Sequence, residues 1–243
     1  MNREKIVISI VSHNQANIVQ ELLSDLKKFN FFDKILITIN TKEDIKRLKK
    51  FSDLPIDFII NDKVKGFGEN HNYAFTFEPS DYFIIINPDV RLYNINFNNL
   101  INYFANNNVQ ILSPLAVDKN NISQDNARKF PTLLTPFLRK IKFSRKTQYF
   151  NSIDYNEVDW VSGMFMIVKS ICFKNIGMFD EKFFMYYEDV DLCKRIKKVN
   201  GKVLCINTEK VFHEGQRQSH TNLKHLWIHL KSMFYYHLKY FLK

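Results

Sequence analysis

Residues 1–90 alternate between short apolar runs and longer segments in which apolar residues recur every three or four positions. The runs are almost continuously apolar, which is typical of parallel strands covered on both faces. They predict strands at 6–11, 35–39, 56–60 and 82–86, with helices between them at 16–28, 43–50 and 69–77. This order predicts an α/β fold whose first half, residues 1–90, is Rossmann-like and binds a nucleotide.

The pattern is less regular after residue 90. It predicts a helix within 94–108, strands at 111–117, 158–168, 202–206 and 210–213, and a final helix at 222–243. Residues 119–157 lack a clear period and predict a long basic excursion. Its basic residues are Arg128, Lys129, Arg139, Lys140, Lys142, Arg145 and Lys146.

Polar residues follow each of the first four strands. They include Ser12, Asn14, Asn40 and Asn87, and ligands of such sheets bind beyond the carboxyl ends of the strands. Asp89 follows Asn87 and a proline, so its carboxylate can hold Mg²⁺ or Mn²⁺ against a diphosphate. The alternative is a turn aspartate, which is common after proline.

Two further features are weaker when taken alone. Gly66 and Gly68 lie between the third strand and its helix, where glycine lets the backbone approach an anionic ligand. The segment is neither GxGxxG nor a P-loop, and a plain tight turn explains it equally well. His213, after a late strand, is either structural or a second ligand for the cation of Asp89.

Three carboxylates, Glu188, Asp189 and Asp191, stand at a predicted helix start. At about 100° per residue, Asp189 lies on the same side as Ile196 in the apolar stripe, so it is expected to point inward. Glu188 shares a face with Asp191 and Arg195, which predicts a solvated charge cluster. An inward carboxylate is costly unless it is paired, bound to a metal or lining a cleft, so Asp189 is a candidate for a catalytic role. The alternative is that Asp189 is the N-cap of the helix.

The final helix has an apolar side with lysines and aromatic residues around it. A basic amphipathic helix of this kind suits a membrane interface, and packing on its own domain or on a second subunit is the alternative. Its apolar side consists of Leu223, Leu226, Trp227, Leu230, Phe234, Leu238 and Phe241, and its lysines are Lys224, Lys231, Lys239 and Lys243.

The formal net charge of +10 and pI near 9.3 predict anionic partners. The three cysteines form no CxxC pair and are expected to be buried, reduced thiols. The chain shows neither a signal-peptide pattern nor an apolar run of membrane-spanning length, which predicts a cytoplasmic protein.

Together these stretches resemble the family 2 glycosyltransferases, which are inverting enzymes with a GT-A fold, and in particular their bacterial rhamnosyltransferase-like members. The resemblance covers roughly residues 6–220 and is most specific around residues 177–195. It rests on Ile8–Asn14, Gly66–Asn72, Asn87–Val90, Ser162–Met166, Gly177–Arg195 and His213–Gly215.

The resemblance implies a role for each matching position. Asp189 matches the catalytic base and Glu188 its acidic neighbour, while Asp89 and His213 match the residues that touch the metal or diphosphate. The donor-binding positions are implied to be Ser12, Asn14, Asn40, Gly66, Gly68, Asn72 and Asn87. Asn87 stands where many members carry the first aspartate of the metal motif, so the resemblance gives only one carboxylate there. Asn40 stands where many members carry aspartate at the second strand end, and this departure leaves the donor open.

The resemblance also implies a domain plan and partners. A GT-A domain would span 1–220, with nucleotide-binding (1–90) and acceptor-binding (91–220) halves, followed by an amphipathic helix at 221–243. The donor would be a dTDP- or UDP-sugar, and the acceptor a lipid-linked or polysaccharide chain at the inner face of the cell membrane. The sequence leaves the metal, the linkage and a homodimer open.

Two other classes of protein are alternatives to this interpretation. A sugar nucleotidyltransferase would usually carry a glycine-rich basic loop after the first strand, where this chain has Ser12-His13-Asn14. A non-catalytic binder of nucleic acid or another anionic ligand would fit the charge, but no nucleic-acid-binding motif is evident, so we expect no nucleic acid partner.

Overall fold

A mixed β-sheet forms the centre of the protein. The computed structural model describes residues 3–105, 108–124, 126–132, 152–213 and 223–241. The strands are β1 Ile6–Ser12, β2 Lys34–Ile39, β3 Ile56–Ile60, β4 Tyr82–Ile86, β5 Val90–Arg91, β6 Val109–Val117, β7 Ala127–Arg128, β8 Tyr155–Glu157, β9 Trp160–Val161, β10 Phe165–Lys169 and β11 Lys202–His213. The helices are α1 Ala16–Leu26, α2 Phe67–Phe75, α3 Phe97–Asn102, α4 Ser170–Asn175, α5 Glu188–Lys198 and α6 Leu223–Phe241.

The strand order of the sheet is β3-β2-β1-β4-β10-β6-β11-β5, with β8 added beside β11. Strands β1 to β4 are mutually parallel, β11 runs parallel to β6, and β10 is antiparallel to both of its neighbours. Helices cover both faces, because alternate residues of each strand enter two separate apolar clusters. The predicted α/β class is confirmed, and the sheet is mixed and mainly parallel.

The helix predicted at 43–50 is wrong, because this segment contains only a 3₁₀ turn at Leu48–Lys50. The Asp44 side chain accepts a hydrogen bond from the backbone N–H of Lys46, and the Glu43 side chain accepts one from Ala16 at the start of α1. Side chains that bond backbone groups in this way compete with helix formation.

The strands of the second half differ from the prediction in two places. The run at 158–168 is two strands, β9 and β10, because Ser162 N–H bonds to Asn126 and the chain turns at Gly163. The two strands predicted at 202–206 and 210–213 are one strand, β11, whose register against β6 shifts between Ile206 and Lys210.

Much of the predicted basic excursion, including Arg139, Lys140, Lys142, Arg145 and Lys146, lies outside the described residues. Arg128, at the end of β7, is described. The three cysteines are free, as predicted, although Cys172 is only partly buried.

The final helix, α6, lies against α5 through its polar and aromatic side. Ser232 and Tyr236 are buried in this contact. The predicted apolar side of α6 faces away from the domain, with its seven residues 38–84% exposed. Within the described residues, no helix is long and apolar enough to cross a membrane.

Candidate active site

Four of the predicted motifs meet at the carboxyl edge of the sheet, around Gly66, Gly163 and Phe184. The backbone N–H of Phe67, in the first turn of α2, donates to the carbonyl of Phe184 at 2.8 Å. A Cβ on Gly66 would lie 2.6 Å from the same carbonyl oxygen, so only glycine permits this approach. A Cβ on Gly163 would lie 3.0 Å from the Phe67 ring and 3.8 Å from Asp189.

Asp189 is held in a fixed orientation at this edge. Its Oδ2 accepts from the backbone N–H of Gly163 at 3.0 Å, and its Oδ1 accepts from the N–H of Val190 at 2.8 Å. The side chain is partly exposed, whereas Ile196 on the same side of α5 is buried. Burial raises the pKa of the Asp189 carboxyl, while the Gly163 hydrogen bond and the nearby charge of Arg128 oppose that rise. A carboxylate with a raised pKa and one accessible side is suited to accept a proton.

Glu188 is buried, and the prediction of a solvated cluster containing Glu188, Asp191 and Arg195 is therefore wrong. Glu188 is 5% exposed, and Asp191 is completely buried beneath Tyr240 and Lys239 of α6. The pairing of Asp191 with Arg195 does occur, with the guanidinium Nε 2.8 Å from Oδ2. The spacing grouped these side chains on one face, but α6, a helix distant in sequence, covers Asp191 on that face.

Ionisation of the Glu188 carboxyl is unfavourable in the folded protein. Its Oε2 is buried without a hydrogen-bond partner, and burial together with the charge of Asp189 raises its pKa well above the ordinary value. Because the folded state favours the protonated acid, the free energy of unfolding decreases as pH rises from about 4.5 through the raised pKa.

We therefore expect Glu188→Gln to be more thermostable than the parent at about pH 8 and equal to it below about pH 4.5. Glutamine removes the group whose ionisation is unfavourable in the folded protein. Melting temperatures measured across this pH range test the expectation, and a stability difference independent of pH would contradict it.

Asp89 and His213 lie together, and a cation shared between them remains a prediction. The Nε2 of His213 is 3.4 Å from Oδ2 of Asp89, and their side chains are 17% and 18% exposed. The pair is formed because β5, which directly follows Asp89, is antiparallel to the end of β11.

Gln124 is a neighbour that the sequence reading missed. Its amide nitrogen donates to the His213 carbonyl at 2.8 Å, and its Oε1 lies 3.2 Å from His213 Nδ1. A proton on Nδ1, donated to Gln124, leaves the Nε2 lone pair facing Asp89, which is how metal-binding histidines are usually oriented.

The Asp89–His213 pair and Asp189 lie on one continuous edge. Strand β4 pairs with β10, and the N–H of Asn87 donates to the carbonyl of Met164 at 2.8 Å. Met164 follows Gly163, whose N–H holds Asp189. This backbone hydrogen bond therefore links the segment after β4, which contains Asp89, to the segment whose Gly163 N–H orients Asp189.

Several predicted donor-binding residues are engaged within the protein. Asn40 is 6% exposed, and its amide bonds to the backbone N–H and carbonyl of Lys65 and to the side chain of Asn61. Asn72 bonds in the same way to Phe179 and Glu181. In the structure these two amides fix the glycine turn and α2, and donor contact by either remains a prediction.

The other predicted donor-binding positions line the same edge. Ser12 is buried at the end of β1, and Asn14 follows in a left-handed conformation with φ of 59°. Gly68 is a packing position, because a Cβ there would lie 2.7 Å from the Cβ of Phe179. Asn87 is partly exposed. Their roles in donor binding remain predictions.

Relatives in sequence and similar solved structures include glycosyltransferases. No protein-family model matches the chain. It is 27% identical to rhamnosyltransferase WbbL of Escherichia coli over 95% of this chain and 92% of the relative. It is 28% identical to an N-acetylglucosaminyl-diphospho-decaprenol L-rhamnosyltransferase of Mycobacterium tuberculosis, over 63% of this chain and about half (54%) of that enzyme.

The fold is similar to that of GalNAc-T7, solved with UDP, GalNAc and Mn²⁺, with a TM-score of 0.69. The two chains are 14% identical, and the match covers 87% of this chain and 44% of the other. The fold is a GT-A fold, and the sequence relatives indicate a glycosyltransferase. Among these enzymes, the protein is rhamnosyltransferase-like, as its sequence relatives indicate.

Proposed function

We propose that the protein is an inverting transferase that moves a rhamnosyl group from a nucleoside-diphosphate sugar to a lipid-linked or polysaccharide acceptor. The observation that carries this proposal is the orientation of Asp189 on Gly163, on the sheet edge that also holds Asp89 and His213. The rhamnosyl donor and lipid-linked acceptor are suggested by the names of the WbbL and mycobacterial relatives.

The proposed reaction is a single displacement. Asp189 takes the proton of an acceptor hydroxyl while that oxygen attacks the anomeric carbon from the face opposite the diphosphate. The bond from the anomeric carbon to the diphosphate oxygen breaks, and its electron pair leaves with the nucleoside diphosphate. No covalent enzyme intermediate forms, so one base is sufficient and the product has inverted configuration.

Asp89 and His213 fit a divalent cation of the Mg²⁺ or Mn²⁺ class. Adjacent ligands of a small octahedral ion lie about 3 Å apart, close to the 3.4 Å between His213 Nε2 and Asp89 Oδ2. The described residues contain no cluster of three or more potential ligands, so the donor diphosphate and water would complete the coordination. When bound, such a cation would stabilise the negative charge that develops on the leaving diphosphate.

A donor screen by thermal shift tests this site. A panel of dTDP- and UDP-sugars, each with and without Mn²⁺, should show one donor that raises the melting temperature more in the presence of the cation. Asp89→Ala should remove the cation-dependent part of the shift, because a metal ligand is lost. Asp53→Asn, an exposed carboxylate distant from the site, is the control. An identical shift with and without cation in both proteins would exclude the metal role of Asp89.

We also propose that the exposed apolar stripe of α6 contacts the inner face of the membrane. The stripe places Trp227 and Phe234, 74% and 70% exposed, on the side away from the domain, and the exposed Lys231 lies between them. Anionic lipid headgroups complement this lysine and the +10 net charge of the chain. The acceptor class is consistent with such a location, since lipid-linked chains are held at a membrane.

Vesicle flotation tests the membrane contact. The double variant Trp227→Ala/Phe234→Ala should float poorly with anionic vesicles, while the control Ile153→Ala/Ile171→Ala, which removes two exposed apolar residues elsewhere, should float like the parent. A parent that forms dimers, does not bind vesicles and becomes monomeric in the double variant would instead assign the stripe to a second copy.

A further inference from the structure

The turn immediately before the two site carboxylates has an unfavourable backbone conformation. Tyr186 and Tyr187 both adopt left-handed conformations, with φ of 68° and 69°. Such conformations are unfavourable for a non-glycine residue and persist only where surrounding contacts impose them. The contacts that hold this turn therefore determine where α5 begins.

Helix α6 supplies contacts on one side of the turn. The Ser232 hydroxyl donates to the carbonyl of Met185 at 2.7 Å, and Ser232 is 5% exposed. The Tyr186 hydroxyl lies 3.0 Å from Nδ1 of His225, which is about two helical turns before Ser232 on the same face of α6. The Tyr187 ring packs against the ring of His229, with centroids 5.4 Å apart.

The glycine turn and α2 hold the other side. Phe184 is bonded to Phe67 and lies in contact with Gly66, as described above. The turn is therefore fixed between α2 and α6. Its last residue, Tyr187, accepts the first backbone hydrogen bond of α5 from Asp191 at 2.8 Å. A shift of this turn would move Glu188 and Asp189 relative to Gly163.

We propose that Ser232 and His225 are positioning residues for glycosyl transfer, acting through the Met185–Tyr187 turn to place Asp189. The inference rests on the proposed role of Asp189 as the base. It assigns α6 a part in the active site that is separate from the lipid contact of its outer stripe. Neither residue is expected to touch the donor or the acceptor.

The test uses the full chain, a soluble acceptor analogue and no vesicles, so that membrane contact does not influence the rate. Ser232→Ala and His225→Phe should each lower kcat about five- to tenfold, with the KM of the donor unchanged. Ser232→Thr should restore most of kcat, because threonine retains the hydroxyl. The pH profile of kcat should shift in the alanine variant, since the environment of Asp189 changes with its position.

Ser24→Ala is the matched control, because it removes an equivalent hydroxyl-to-carbonyl bond, from Ser24 to Gln20, on the exposed side of α1. It should leave kcat and the pH profile unchanged. Donor-induced thermal shifts check folding, and His225→Phe carries the test if Ser232→Ala does not fold. Parent values of kcat in both folded variants would overturn the positioning role. That result would leave the proposed function unaffected. The proposed function is tested separately with Asp189→Asn, and full activity of that variant would exclude it.

Discussion

Asp189→Asn should reduce glycosyl transfer about 10²- to 10⁴-fold while donor binding is retained. Asparagine can keep the hydrogen bond from Gly163 through its amide oxygen and loses the one from Val190, so the segment of Gly163 is expected to keep its contact with α5. It cannot take up the acceptor proton. The loss should appear in kcat at saturating donor, and thermal shift with the donor should be similar to that of the parent.

The matched control for Asp189→Asn is Asp53→Asn, which removes a carboxylate of the same type from an exposed pair with Lys27. Its transfer rate should equal that of the parent. Full activity in Asp189→Asn would exclude Asp189 as the base. Complete loss of donor binding in that variant would assign it to the donor site instead.

Asp191→Asn should lower the free energy of unfolding by about 3–5 kcal/mol, more than Asp180→Asn or Asp53→Asn. Asp191 is completely buried, and its carboxylate joins Arg195 of its own helix to Lys239 and Tyr240 of α6. Removal of the negative charge leaves the buried end of this network with excess positive charge. Denaturant unfolding of the variant and parent measures the difference.

A second comparison separates this network from a general effect of charge removal. Lys239 also contacts Asp180, which is more exposed than Asp191, so Asp180→Asn should destabilise the protein less. Equal losses in the two variants would show that burial of Asp191 is not the cause. A loss in Asp191→Asn no larger than that of Asp53→Asn would exclude the network as a source of stability.

The elements predicted from the sequence match the structure more closely in the first half of the chain than in the second. Strand β4 lies where its pattern predicted, because its continuous apolar run is buried on both faces. The helix predicted at 43–50 failed because Glu43 and Asp44 bond to backbone groups, an outcome that apolar spacing does not report. The split of 158–168 into two strands similarly depends on the hydrogen bond from Ser162 N–H to the carbonyl of Asn126, 36 residues away.

Part of the candidate site could also be predicted, from the positions of the strand ends. Asp89 and His213 could be proposed as a pair because each follows a strand, and parallel topology brings strand ends together. Gln124 and Arg128 could not be assigned to the site, since no periodic pattern surrounds them. Gln124 is placed by a backbone hydrogen bond to Ala116 of β6, and Arg128 by the pairing of β7 with β9, contacts that form only in the folded chain.

By itself, the sequence determined the α/β class, the residues at the carboxyl edge and the grouping of Glu188, Asp191 and Arg195 on one face of a helix. These follow from local periodicity, which is set by backbone geometry. Only the tertiary structure decided which faces meet solvent. Helix α6 turns its serine, tyrosine and histidine side toward α5, buries Asp191 and exposes its own leucine, tryptophan and phenylalanine stripe. The physical reason is that hydrogen bonds and ion pairs to α5 specify which side of α6 is buried, and such partners are distant in sequence.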